Sequence, residues 1–174
     1  MLVGLPGTGK TTTGRRLAAR LDVTFADSDV LVEQRTGRRV VDIFAADGES
    51  AFRALEAEVI RDALTGGFEG ILALGGGAVT VEANRVALKA SGVPVVLLRS
   101  SIRTLSRRVG TGASRPLLAG DPRGRLVELA RERDPLYREV ATLVVDTDRR
   151  SSARVCAELV DLLGVHVSGK SVSG

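Results

Sequence analysis

Gly4-Leu5-Pro6-Gly7-Thr8-Gly9-Lys10-Thr11 fits the pattern G-x-x-x-x-G-K-[ST] at every fixed position. Each residue type has a chemical reason to be there. Gly4, Gly7 and Gly9 allow positive φ and let the backbone approach an anion. Successive N–H groups can then wrap a phosphate, with the positive end of the following helix aimed at it. Lys10 is a mobile point charge able to follow β- and γ-phosphates, and the Thr11 hydroxyl is a hard oxygen ligand suited to Mg²⁺. The expected nucleotide-binding set from this loop is Gly7, Thr8, Gly9, Lys10, Thr11 and Thr12. Three further groups of residues could act with it. Asp27-Ser28-Asp29 offers two carboxylates that would share a face on an extended segment, one toward a metal and one toward an acceptor. The same residue types also favour turns and helix caps. Gly75-Gly76-Gly77 can present backbone N–H groups to a ligand or simply make a tight turn. Arg53 and Glu56, at i and i+3, form either part of a site or a surface ion pair of little energetic weight.

These groups need a scaffold, and the hydrophobic pattern supplies one. Apolar strands at Met1–Val3, Val23–Ala26, Ile71–Leu74, Val93–Leu98 and Leu143–Val145 alternate with amphipathic helices. The helices run over Thr12–Leu21, Val30–Arg35, Val40–Ala46 (closed by Gly48), Glu49–Leu64, Glu82–Ala90, a stretch after Ser101, and Ser152–Leu163 with Val155, Leu159 and Leu162 inward. Pro135 is expected to interrupt the helix that Leu126, Leu129 and Ala130 begin. The alternation predicts an α/β fold of three layers: a parallel sheet of about five strands with helices on both faces. Ligands in such folds gather at the carboxyl ends of the strands, where the phosphate loop, Asp27-Ser28-Asp29 and Gly75-Gly76-Gly77 all fall. Residues 110–124 lack an apolar period and are too long for an ordinary connection, so a mobile lid is expected there. The Ser- and Gly-rich tail 167–174 is expected to be disordered, leaving one domain over residues 1–166. The first strand is short for a central one, and no internal repeat is visible.

Composition narrows the function classes. The 174 residues, 44% of them hydrophobic, suffice for one real core. No apolar run is long enough to span a membrane and no secretory signal is visible. Cys156 is the single cysteine, read as a small buried apolar residue, so a disulfide framework is excluded and a cytoplasmic setting is expected. His166 is the only histidine, which argues against a His-based nucleophile or metal site. The net charge of +4 comes from scattered arginines, and with only 3% aromatic residues there is little to stack nucleic-acid bases on. Anionic small molecules explain the charge better, since arginine grips phosphate and carboxylate by a bidentate fork. The chemistry implied is phosphoryl transfer, which needs Mg²⁺ and positive charge around the transferred group.

Taken together, the motifs resemble the shikimate kinases, small relatives of the nucleoside monophosphate kinases with the P-loop NTPase fold. The resemblance runs from the phosphate loop to about Arg150 and rests on an ordered set: the loop itself, Asp27-Ser28-Asp29, Phe52-Arg53 with Glu56, Leu74-Gly75-Gly76-Gly77-Ala78, Arg115-Pro116-Leu117-Leu118, and Arg133-Asp134-Pro135-Leu136-Tyr137. It implies transfer of the γ-phosphoryl of ATP to the 3-hydroxyl of shikimate. It implies further that Lys10 bridges the phosphates, that Thr11 binds Mg²⁺ with Asp27 helping through water, and that Asp29 holds the acceptor hydroxyl as base. Arg53 and Arg133 would grip the shikimate carboxylate, Glu56 would steady Arg53, and Gly75, Gly76 and Gly77 would approach the substrate by backbone, within an acceptor region of about 29–64. Arg115 would arrive with the lid and neutralise the transferring group, while Arg108 and Arg150 border the adenine. Ser152 stands where relatives often have proline, which leaves the adenine wall open to variation. The resemblance implies a monomer acting on small molecules, with no nucleic-acid or membrane partner. A gluconate kinase-like enzyme and a non-catalytic nucleotide-binding regulator are the alternatives.

Overall fold

The computed structural model describes residues 1–109 and 121–164. Arg115, most of the expected lid, His166 and the tail therefore lie outside the described residues. Five strands, β1 (Leu2–Val3), β2 (Thr24–Asp27), β3 (Gly70–Ala73), β4 (Val96–Arg99) and β5 (Leu143–Asp146), form one parallel sheet in the order β2-β3-β1-β4-β5. Leu2 sits opposite both Ala73 and Val96, so β1 is central and the chain order reverses across it. The loop after β1 thus emerges at the switch point, where such sheets place their ligands.

Side chains alternate across the strands and divide the core in two. Val3, Leu72, Leu74 and Leu97 pack with Ile60, Leu88 and Tyr137 on one face. Leu2, Val96, Leu98 and Val145 pack with Leu17, Val155 and Leu159 on the other. Helices α1 (Lys10–Leu21), α2 (Ser28–Thr36), α3 (Val40–Thr65), α4 (Glu82–Ala90), α5 (Ile102–Val109), α6 (Pro122–Val140) and α7 (Ser152–Leu162) complete the three layers expected from the alternation.

Several local expectations change. The helix break expected at Gly48 is not among them: α3 consists of two helices meeting at a kink there, where φ of 82° and ψ of 175° are not helical. Pro135 lies inside α6 rather than ending it. Leu126, Leu129, Arg133, Tyr137 and Val140 are buried on a single face spanning both sides of the proline. That packing outweighs a missing N–H and a ring clash worth ~3 kcal/mol. Residues 122–124, expected within the lid, lie in α6, which Asp121 caps by accepting from the Gly124 N–H at 3.0 Å. In α7 the buried stripe is Val155, Cys156, Leu159 and Val160. Leu162 falls a quarter-turn off its centre and is 48% exposed, while Leu163 packs in its place.

Candidate active site

The loop between β1 and α1 takes the conformation its glycines allow: φ is 141° at Gly4, 84° at Gly7 and 95° at Gly9. Gly9 also precedes the first turn of α1, so the helix N-terminus opens onto the loop. Lys10 folds back over this loop, its Nζ donating to the carbonyls of Gly4 at 2.7 Å and Leu5 at 3.2 Å. A cavity of about 380 Å³ runs from the loop between α5 and α7. Arg108, Thr147, Arg150 and Ser152 line its outer end. Arg108 donates to the Thr147 carbonyl at 2.8 Å and to the Gly7 carbonyl at 3.3 Å, which ties the phosphate loop to the end of β5. Arg150 donates to the Asp146 carbonyl at 3.0 Å and pairs with Glu158.

Asp27 caps a helix with one oxygen and leaves the other toward the phosphate loop. One carboxylate oxygen accepts from the Thr11 hydroxyl at 2.8 Å, and the other accepts from the Asp29 N–H at 3.2 Å and caps α2. Asp29 is therefore in the first turn of a helix, and not on an extended segment beside Asp27 as the two-residue spacing suggested. The turn brings Asp29 against Glu56 and Gly75. Burial, then the negative charges of Glu56 and Asp27, push its carboxyl up to about 6 against the opposing pull of Lys10 and Arg53. A carboxylate poised there is suited to taking a proton near neutral pH.

The Arg53–Glu56 pair is buried, not on the surface. Glu56 is fully excluded from solvent and accepts from Arg53 Nη1 at 2.5 Å. Its second oxygen accepts from the Ser28 hydroxyl at 3.0 Å, and Ser28 in turn accepts from the Gly75 N–H at 2.7 Å. One chain of bonds thus joins α3, the start of α2 and the end of β3. Burial works against the charge on Arg53, but the attraction and hydrogen bond of Glu56, with Glu49 behind it, hold the guanidinium above its ordinary value. The glycines are required by this crowding. A Cβ on Gly75 would lie 2.2 Å from Glu56 Oε1, and one on Gly77 would lie 2.1 Å from Arg53 Nη2. The Gly75 N–H, expected to face a ligand, is taken by Ser28 instead. The Gly76 carbonyl accepts from Arg133 Nη1 at 3.1 Å and from the Tyr137 hydroxyl at 2.5 Å.

A second cavity of about 480 Å³ gathers Asp29, Arg53, Gly75 to Gly77 and Arg133, and it shares Lys10 and Thr11 with the first. The structure thus brings together every expected site residue it describes. Ser28, Glu49, Tyr137 and Thr147 were not singled out from the sequence. Ser28 and Tyr137 stand inside quoted motifs, and Glu49 lies four residues before Arg53 on the same helical run, a spacing that signals an ion pair.

The model of the shikimate kinase family matches residues 6–164. A shikimate kinase of Rhodococcus jostii is 50% identical over 161 residues, 92% of this chain and 94% of that protein. A shikimate kinase of Mycobacterium avium is 51% identical over 164 residues, 94% of this chain and 92% of that protein. Among solved structures, the Acinetobacter baumannii shikimate kinase in complex with shikimate superposes with a TM-score of 0.86 at 38% identity, covering 93% of this chain and 90% of its own. The Aquifex aeolicus enzyme gives 0.81 at 28% identity, covering 94% of both chains. Similarity of this degree along nearly the whole chain, with the same residues converging on two joined cavities, decides against the gluconate kinase and regulator alternatives: the chain belongs to the shikimate kinase family.

Proposed function

We propose that the two cavities are the donor and acceptor halves of one phosphoryl-transfer site. The reaction of the family moves the γ-phosphoryl of ATP to the 3-hydroxyl of shikimate, giving ADP and shikimate 3-phosphate. The observation that carries the division of labour is the shared wall: Lys10 and Thr11 line both cavities. Phosphates held by the loop of the first cavity then face an acceptor hydroxyl in the second. Asp29 accepts the proton of that hydroxyl as its oxygen forms the new bond to phosphorus and the bond to the leaving ADP breaks. Lys10 exchanges the Gly4 and Leu5 carbonyls for phosphate oxygens. Arg53, kept charged and oriented by Glu56, and Arg133, braced on the Gly76 carbonyl, hold the shikimate carboxylate. Gly75, Gly76 and Gly77 face the substrate as backbone, and Arg108 and Arg150 flank the adenine end.

Thr11 and Asp27 fit a Mg²⁺ ion. Their two hard oxygens lie 2.8 Å apart beside the phosphate loop. Among the described residues no group of three or more His, Cys, Asp or Glu side chains could cage a metal, so phosphate and water would complete the shell, as Mg²⁺ favours. When bound, the ion would neutralise charge on the phosphates. We extend the proposal to a monomer in the cytoplasm, its catalytic domain spanning residues 1–166 and acting on small molecules. Both cavities are lined from one chain, and Cys156 is a buried thiol. Among the described residues no helix is long and apolar enough to cross a membrane.

The carboxylate grip is tested with shikimate and an analogue in which a neutral amide replaces the carboxylate. The amide is expected to be a poor acceptor for the parent enzyme. Relative to shikimate it should lose far less in Arg53→Ala and Arg133→Ala, where its missing charge has no partner. An amide that serves the parent as well as shikimate does would overturn the assignment.

A further inference from the structure

We infer that Glu49 is an internal stand-in for the substrate carboxylate, an anion that occupies the two gripping arginines until shikimate displaces it. The inference rests on Arg53 and Arg133 being the carboxylate grip. Glu49 Oε1 accepts from Arg53 Nε at 3.2 Å and from Nη2 at 3.1 Å. That is the edge of the guanidinium left over once Nη1 is committed to Glu56. The same oxygen lies 3.9 Å from Arg133 Nη2. Arg133 Nη1 is committed to the Gly76 carbonyl, and its buried Nε has no hydrogen-bond partner among the described residues. One carboxylate thus fills the remaining edge of Arg53 and stands within ion-pair reach of Arg133.

Exposure distinguishes that carboxylate from Glu56. The Glu49 side chain is 42% exposed, against 0% for Glu56 and 10% and 5% for Arg53 and Arg133. Glu56 is a fixed support, whereas Glu49 reaches the arginines from the solvent side and can leave without uncovering a buried charge of its own. It directly follows the break at Gly48 and makes no other ion pair among the described residues. Only one of the two nearly buried guanidiniums is paired with the buried Glu56, and Glu49 offsets the remaining positive charge. The consequence is competition. Any carboxylate entering must exchange with Glu49, so its apparent affinity falls by a common factor. Only a ligand with further contacts, such as a hydroxyl on Asp29, stays bound at modest concentration.

The test compares the KM for shikimate with the competitive inhibition constant of cyclohexanecarboxylate, a ring acid without hydroxyls, in the parent, Glu49→Gln and Glu49→Ala. Both constants are expected to fall by the same factor of about two to five, the range of a half-exposed ion pair, with kcat changing less. A supporting role for Glu49 would raise both constants. Constants unchanged or raised in both variants would overturn the inference. Arg53→Lys separates the two failures. If it weakens both ligands while the Glu49 variants fail to tighten them, only the competition is wrong. If it weakens neither, the carboxylate grip itself is wrong and the inference falls with it.

Discussion

The two cavities proposed as donor and acceptor halves meet at Lys10 and Thr11 but are built by different means. The donor side is largely backbone: three glycines at positive φ, the first turn of α1, and carbonyls that hold Arg108 and Lys10. The acceptor side is largely side chains: Ser28, Glu56, Arg53, Arg133 and Tyr137, drawn from three helices and locked to the end of β3. A phosphate cradle of main-chain N–H groups needs only the right φ and ψ, which a few consecutive residues can dictate. A pocket for one small acid needs charges at fixed positions inside a protein, and each must be paired while the pocket is empty.

The sharpest way to break this contrast is Lys10→Ala. Lys10 donates to the Gly4 and Leu5 carbonyls and is not part of the buried core. Turnover is expected to fall at least ~10³-fold, with the melting temperature within ~2 °C of the parent. Near-normal turnover would remove Lys10 from the transferring group. A large drop in melting temperature would show that the donor side also depends on side-chain bracing.

Asp29→Asn comes next. The amide keeps the shape and loses the proton affinity, so kcat should drop about a hundredfold or more, with KM moving less. In the parent, kcat/KM should fall as pH drops through about 6, where Asp29 takes up its proton. A pH profile flat down to 5 would take the base role away from Asp29.

How far each side could be read from the chain follows the same division. The phosphate loop was legible as eight contiguous residues, and its φ angles are those its glycines imply. α4 occupies the range its apolar period marks. Asp27 was legible only as a choice between cap and metal ligand, because one carboxylate has two oxygens: one caps α2 and the other accepts from the Thr11 hydroxyl. The i, i+3 spacing identified Arg53–Glu56 as a pair but not as a buried one. Burial depends on Ser28 and Gly75 closing over it from other elements, and no local pattern records that. Pro135 and Leu162 were misread for a related reason. Rules for a single helix lose to whatever face its neighbours cover. The gathering of Arg53, Arg133 and Gly75 to Gly77 around one cavity was legible only through the resemblance, which carries tertiary information that spacing does not.

Arg53→Lys and Arg133→Lys sharpen the acceptor half. Lysine keeps the charge but loses the fork, and it cannot serve Glu56 and a substrate with separate edges. Both variants should lose about ten- to a hundredfold in kcat/KM for shikimate, the scale of a charge-assisted pair, with nucleotide affinity nearly intact. Equal losses in nucleotide affinity would mean that the two halves are not separable.

The smallest expected effect is on stability, and it tests whether the acceptor half holds its catalytic carboxylate at a cost. Asp29 has a folded-state pKa of about 6 against an ordinary value of 3.8. The sign follows from proton binding. Between those values the folded protein holds a proton that the unfolded chain has released, so the site is favourable below about 4 and loses that advantage as pH rises through 6. At pH 7 to 8 the buried charge is a net penalty. The full displacement corresponds to ~3 kcal/mol, which partial solvation of the side chain trims to ~1 kcal/mol. Asp29→Asn removes the charge at every pH and keeps the shape. The variant should therefore melt a few degrees higher than the parent at pH 7.5, about 4 °C for ~1 kcal/mol, and the advantage should shrink toward zero as pH approaches 4. Lys10→Ala should show no such pH-dependent gain, since its ammonium pulls the Asp29 carboxyl down rather than up. If Asp29→Asn melts lower than the parent at neutral pH, the carboxylate is stabilised by its surroundings. Lys10 and Arg53 would then outweigh burial and the charges of Glu56 and Asp27, and the acceptor half would be no more strained than the donor half.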